Sequence, residues 1–299
     1  MLVAIGAAAS LGTMLAARAV WGRVALGPHA LARAATRLAH SDAFLPSAPI
    51  RFVPYGVLGT RLTRSQEVRT RSSACTRARC SVREDERPSS HPPSVCQVVH
   101  AAPPPSGATA FVDPAGLPYI QQLGPRGAGG AAGAIYSYLC ISNDASFPPD
   151  VVAAVTAPGA AKHHRYELVG GDRAHCVHVA GPDLRAAAYT WEAAVSALSE
   201  AYEKCLLEFH DNSALAPAAP PDAPAHLRLL PISGGIFAGE FAPKMPQLTR
   251  AALESAQQRL PAPKAGALFR DDRVVLCLFT EGECDAFARE GFVSAADGE

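Results

Sequence analysis

The sequence predicts a layered α/β domain built on a mixed, largely parallel sheet. Three observations predict it. Short apolar runs bounded by Gly and Pro recur between residues 95 and 279. Helical stretches alternate with them, the clearest being Trp191 to Phe209. Two glycine-rich turns, 127–133 and 233–235, fall at strand–helix junctions, where open parallel sheets hold their ligands.

Taken in order, Val95–His100 reads as a first strand, broken by Pro103-Pro104-Pro105. Ala108–Asp113 reads as a second, ended by Pro114. After the first glycine turn, Ala131–Cys140 reads as a helix, while Val151–Thr156 is apolar but too short to assign. Ala174–Ala180 alternates and reads as a strand stopped by Gly181-Pro182. In Trp191–Phe209, the residues Trp191, Ala194, Leu198, Ala201, Tyr202, Cys205 and Leu206 fall on one helical stripe. An Ala/Pro loop, 213–224, leads to the strand His226–Leu230 and the second glycine turn. Gln247–Leu260 reads as a helix, Arg273–Phe279 as a buried strand and Glu283–Glu290 as a last short helix.

The front of the chain is a different object. Residues 1–80 hold eleven arginines against two acids, Asp42 and Glu67, although the whole chain has no net charge. Residues 1–42 are expected to be a targeting leader: acid-free up to Asp42, alanine-rich and arginine-bearing, as organellar transit peptides are. A mitochondrion or another organelle is the expected compartment, with the secretory pathway (Ala17-Arg18-Ala19 fits a cleavage site) or the cytoplasm as alternatives. Arg18 and Arg23 interrupt the apolar run, so no stable membrane span is expected. Residues 43–93, rich in Arg, Ser and Pro, are expected to be a disordered linker. Their arginine-rich part, 61–87, lacks the interleaved aromatics that single-stranded nucleic acid would stack on, so no sequence-specific nucleic-acid partner is expected. The folded domain is placed at 94–299.

Candidate chemistry sits in the two glycine turns. In Ser233-Gly234-Gly235 little side chain stands in the way, so backbone N–H groups can close on an anion. Gly127-Ala128-Gly129-Gly130 has the same character at a helix start, a natural phosphate site. The pair points to a two-phosphate ligand. His163-His164-Arg165 could bind an anion or metal, or form a solvated loop. The eight cysteines form no C-x-x-C pair, Cys176, Cys205 and Cys277 lie in apolar runs as core residues, and neither metal nor cofactor is expected. Gly127-x-Gly129-x-x-x-Gly133 also resembles a dinucleotide fingerprint, which makes a nicotinamide-dependent oxidoreductase the rival enzyme. No strand with an acidic end follows it, and no Tyr-x-x-x-Lys pair is present.

These residues resemble a known family, the macro domains, which bind ADP-ribose. Val112-Asp113-Pro114-Ala115-Gly116 stands where the family has V-N-A-A-N, and 127–136 is similar to its G-G-G-G-V-D-G-A-I-H. Val177–Pro182 is similar to I-H-x-V-G-P, the 198–206 helix to L-x-x-C-Y-x-x-x-L, and 231–238 to P-x-I-S-T-G-x-F-G. The matches keep the family's order from about Cys96 to Phe292 and leave residues 1–90 uncovered. The resemblance implies a three-layer α/β/α fold with ADP-ribose, free or on a modified protein, in a cleft. It would place Gly127, Gly129, Gly130 and Ala131 at the distal ribose and its phosphate. Ser233, Gly234, Gly235 and Ile236 would hold the diphosphate, and Phe237 would pack on sugar or base. Asp113 would stand at the first asparagine's place, beside the ligand.

The departures are chemical. The family's adenine-binding aspartate falls, counting back, near Ala101-Ala102-Pro103, with no acid. Gly116 and Ala132 occupy the places of an asparagine and an aspartate that assist water attack in hydrolytic members. No general base remains there, so the site reads as a binder, with weak mono-ADP-ribosyl hydrolysis left open. A macro-like scaffold that no longer binds the ligand is the other alternative.

Overall fold

The computed structural model describes residues 50–65, 95–186 and 189–295, all within the compact unit Ser47–Glu299. The expected leader lies outside the described residues, as do residues 43–49 and 66–93 of the expected linker.

The described strands are β1 (Arg51–Val53), β2 (Thr60–Ser65), β3 (Val95–His100), β4 (Thr109–Asp113), β5 (Ala161–Glu167), β6 (Arg173–Val179), β7 (His226–Leu229), β8 (Val274–Cys277) and β9 (Val293–Ser294). The described helices are α1 (Gly130–Tyr138), α2 (Pro149–Ala154), α3 (Trp191–Asp211), α4 (Met245–Arg259), α5 (Ala262–Leu268) and α6 (Glu281–Arg289). Seven strands form one sheet in the order β5-β6-β4-β7-β8-β1-β9. Only the β5–β6 pairing is antiparallel; the other neighbours run parallel.

A parallel sheet must be covered on both faces, and strand alternation shows how this one is. Ala110 and Val112 of β4 face a core that holds Leu198 and Leu206 of α3, Leu248 of α4, Leu268 of α5 and Phe287 of α6. Phe111 faces the opposite core, with Ile135 and Tyr136 of α1, Val151 of α2 and Phe147. The result is three layers, α/β/α. Each fully buried Leu or Phe contributes roughly 1.5–3 kcal/mol, and α3 places Leu198, Leu206 and Phe209 at 0% exposure. Of its predicted stripe, only Trp191 stays half-buried. Thr190 caps α3, its side chain accepting the Ala193 N–H at 3.2 Å.

The structure corrects the sequence reading at three points. Val95–His100 is a strand, but it pairs antiparallel with β2 in a separate two-stranded sheet. Cys96 to His100 are all exposed, so β3 has no face to bury in the main sheet. The place between β8 and β9 is filled by β1, inside the expected linker. The domain therefore takes in Arg51–Val53: Phe52 enters one core, Val53 the other, and Arg51 reaches Asp272 at 3.2 Å. Third, His163-His164-Arg165 lies in the edge strand β5. His163 stacks on His175, Nε2 to Nδ1 at 3.0 Å, and burial and then the neighbouring His175 push its imidazole down to about 3. Val151–Thr156, unassigned from sequence, contributes to the helix α2.

Among the described residues no helix is long and apolar enough to cross a membrane. No group of three or more His, Cys, Asp or Glu among them could hold a metal ion.

Candidate functional site

Parallel strands β4, β7, β8 and β1 end on the same side of the sheet. After β4 the chain builds β5 and β6 on one flank, and after β7 it adds β8 on the other. A crevice between β4 and β7 is where such a reversal of strand order leaves room for a ligand. A hollow of about 460 Å³ lies there, walled by Pro114–Gly116 after β4, Ala128–Ala132 at the start of α1, and Ser233–Phe237 after β7.

The second turn is held from below. Ile232 is fully buried, and the Tyr202 hydroxyl on α3 accepts its N–H at 2.9 Å while donating to the Leu230 carbonyl at 3.4 Å. Burial raises the Tyr202 pKa, so the hydroxyl stays protonated. Ser233 adopts φ 59°, a left-handed conformation that costs a non-glycine residue roughly 1–3 kcal/mol. Its Oγ donates to the Pro182 carbonyl at 2.6 Å, which pins it there. Gly181 must lack a side chain because a Cβ would stand 2.9 Å from that Oγ. The family-like Gly181-Pro182 pair is thus the clamp of the turn. Tyr202→Phe removes the acceptor of a buried N–H. It is expected to cost about 1–3 kcal/mol in chemical denaturation and to weaken ligand binding with it.

Both turns present free donors. Among the described residues, the N–H groups of Gly235 and Ile236 have no hydrogen-bond partner, nor do those of Gly130, Ala131 and Ala132. No side chain caps α1, so its first-turn amides and the positive end of its dipole meet the hollow. Gly129 and Gly235 are instructive. Neither has a positive φ, and a Cβ on either would meet nothing within 4 Å. Nothing in the protein requires glycine there; the vacant space faces the hollow. Gly130, in contrast, has φ 58°, which its backbone demands.

Of the residues singled out in the sequence, Gly129, Gly130, Ala131, Ser233, Gly234, Gly235, Ile236 and Phe237 all line this hollow. Gly127 does not; with φ 77° it shapes the loop behind the wall. Asp113 does not line it either. β4 alternation turns its carboxylate into the core, at 0% exposure, where Oδ2 lies 2.8 Å from His178 Nδ1 on β6. Phe237 packs its edge on Gly116, where a Cβ would lie 2.9 Å from the ring. The Arg185 guanidinium stands 5.0 Å from the ring centroid, held by Asp183 at 2.6 and 2.8 Å.

Tyr119 lines the hollow unannounced by any motif, and Tyr136, the last residue of the 127–136 resemblance, lines it too. Burial and then the Asp113 charge raise the Tyr136 hydroxyl far above its ordinary range, so it remains a phenol. Among the described residues, the lining side chains include no acid, amide, imidazole, lysine or arginine. Gly116 and Ala132 both sit in the wall, leaving no side chain there to take a proton from water. The dinucleotide fingerprint also loses its context. Its glycines should follow a strand directly, yet the helical turn Tyr119–Leu123 separates β4 from α1.

A second hollow of about 1010 Å³ adjoins the first, and the two share Gly130, Ala131, Leu230, Pro231, Gly234 and Gly235. It extends past the ends of β8 and β1, to Val57, Phe279 and Phe287.

No family model matches the chain, and no curated protein matches it in sequence. Among solved structures it is similar to a macrodomain mutant of Oceanobacillus iheyensis with ADPR, at 15% identity over 60% of this chain and 83% of that one, TM-score 0.35. A macrodomain of the same organism with ADP aligns at 13% identity over 62% and 83%, TM-score 0.37. An alphavirus chain, P23pro-zbd, aligns at 16% identity over 64% of this chain, TM-score 0.33, and this chain spans 23% of its length. With scores this low, assignment of function rests on the cleft itself.

Proposed function

We propose that the cleft binds ADP-ribose or a related nucleoside diphosphate, free or carried on a modified protein, through backbone N–H groups. The observation that carries this reading is the meeting of two distant side-chain-poor turns, Gly129–Ala131 and Ser233–Ile236, in one hollow. Unpaired amides from both sides converge there, as an anion-binding nest and a helix N-terminus do. The ordered motif resemblance supplies the ligand class. The diphosphate would bridge the two turns, the distal ribose would rest in the smaller hollow near Phe237, and the base would lie in the larger one. Hydrolysis is not part of the proposal, since the smaller hollow holds no side chain suited to general-base work.

Calorimetric titration of the full chain, which keeps β1, tests the reading with ADP-ribose, AMP and NAD. ADP-ribose is expected to bind most tightly, with affinity in the micromolar range, about −8 kcal/mol. NAD binding without ADP-ribose binding would restore the oxidoreductase, and silence toward all three would leave a scaffold. A turnover assay on mono-ADP-ribosylated protein is expected to show no more than slow release; brisk release would overturn the non-catalytic assignment.

A further inference from the structure

The larger hollow contains little that could tell one base from another. Among the described residues its polar side chains are Thr60, Cys277, Thr280 and Glu283. Two of these are spent on the start of α6. Thr280 Oγ1 accepts the Glu283 N–H at 3.1 Å, and Glu283 Oε2 accepts the N–H groups of Phe279 and Thr280, each at 2.9 Å. That reciprocal cap engages Thr280 Oγ1 and Glu283 Oε2; the remaining oxygen, Glu283 Oε1, belongs to an exposed side chain that water can satisfy. The rest of the wall is aliphatic or aromatic, including Val57, Leu58, Ile135, Met245, Phe279 and Phe287. A site built to hydrogen-bond its substrate rejects the wrong one by leaving a buried polar group unpaired; an apolar wall has no such lever. Shape does not select either, because about 1010 Å³ is the upper end of ligand-pocket sizes and accommodates purine and pyrimidine alike. Phe279 offers what every base accepts, a half-buried aromatic ring, placed by Gly56, where a Cβ would lie 3.2 Å from its Cδ2.

Resting on the diphosphate reading above, we propose that this site is indifferent to the nucleobase: its ligand class is nucleoside diphosphoribose of any base, selected through phosphates and sugar. The base contributes by apolar contact and stacking.

Titration of the full chain with ADP-ribose, GDP-ribose, UDP-ribose and base-free ribose 5-diphosphate tests this. The three nucleotides are expected within about fivefold of one another, with the base-free compound at least tenfold weaker, since one stacked base is worth about a decade of affinity. Preference for ADP-ribose beyond about twentyfold would overturn indifference and leave the diphosphate reading standing. Equal binding of the base-free compound would show that the larger hollow takes no base, which also overturns it. Failure of all four to bind would sink both. In Phe279→Ala the three nucleotides are expected to weaken in parallel; loss confined to ADP-ribose would contradict the proposal.

Discussion

Gly235→Glu is expected to abolish ligand binding while leaving the fold intact. A Cβ at this position meets nothing within 4 Å, so the side chain can be built without moving the protein. Gly235 is exposed and has no positive φ, so neither burial nor backbone strain opposes the change. The new carboxylate would enter a wall whose side chains carry no charge to offset it. At about 5 Å from a phosphate, with an effective dielectric near 20, like-charge repulsion is roughly 3 kcal/mol per charge pair. That alone is about a hundredfold in affinity, and the side chain also fills space the diphosphate would need. The thermal midpoint should stay within a degree or two of the parent. Retention of affinity in a folded Gly235→Glu protein would rule out this turn as the diphosphate site. Gly235→Ala gives the graded case, a smaller loss without the charge.

The layered fold was legible because its central strands carry apolar runs with stops, as in Ala108–Asp113 before Pro114. The two turns were legible because each clusters glycines ahead of a helix, the second directly after a strand and the first beyond the helical turn Tyr119–Leu123. What escaped had little pattern to offer. β1 is three residues long and sits in an arginine-rich stretch, so no window around it shows a period. β5 is an edge strand in which only Tyr166 is buried, so its sequence looks solvated. β3 misled in the opposite direction: Val-Cys-Gln-Val-Val-His has core composition, yet it pairs only with β2 and stays exposed. The stretch 101–103 now proves to follow the β2–β3 ribbon, with the Ala101 and Ala102 N–H groups bonded to the Gly59 carbonyl. The partnership of Asp113 with His178 was beyond sequence reasoning, because it arises from a β4–β6 register that brings two strands 65 positions apart side by side.

That partnership sets the last expectation: Asp113→Ala should destabilise the protein by roughly 2–4 kcal/mol, the range for stripping a partner from a buried charged hydrogen bond. The chain of contacts is continuous. Burial raises the Tyr166 hydroxyl, so it remains a donor, and it reaches His178 Nε2 at 2.8 Å. On the other side of the ring, His178 Nδ1 lies 2.8 Å from Asp113 Oδ2, so the imidazole bridges the phenol and the carboxylate. His178 and Asp113 are both fully buried, so no water can replace the lost acceptor. Asp113 Oδ1 makes no hydrogen bond of ordinary geometry among the described residues, and the Tyr136 hydroxyl beside the carboxylate keeps its proton partly through a hydrogen bond to Asp113. The Tyr136 phenol feels its charge and carries the consequence to the hollow, whose wall the Tyr136 ring forms. Asp113→Asn keeps an oxygen that can accept from His178 and should recover most of the loss. If urea denaturation shows Asp113→Ala within 1 kcal/mol of the parent, the buried network does not hold β4 to β6. If Asp113→Asn is as damaging as Asp113→Ala, then the carboxylate's charge, beyond its hydrogen bond, is what His178 and the strands around it require.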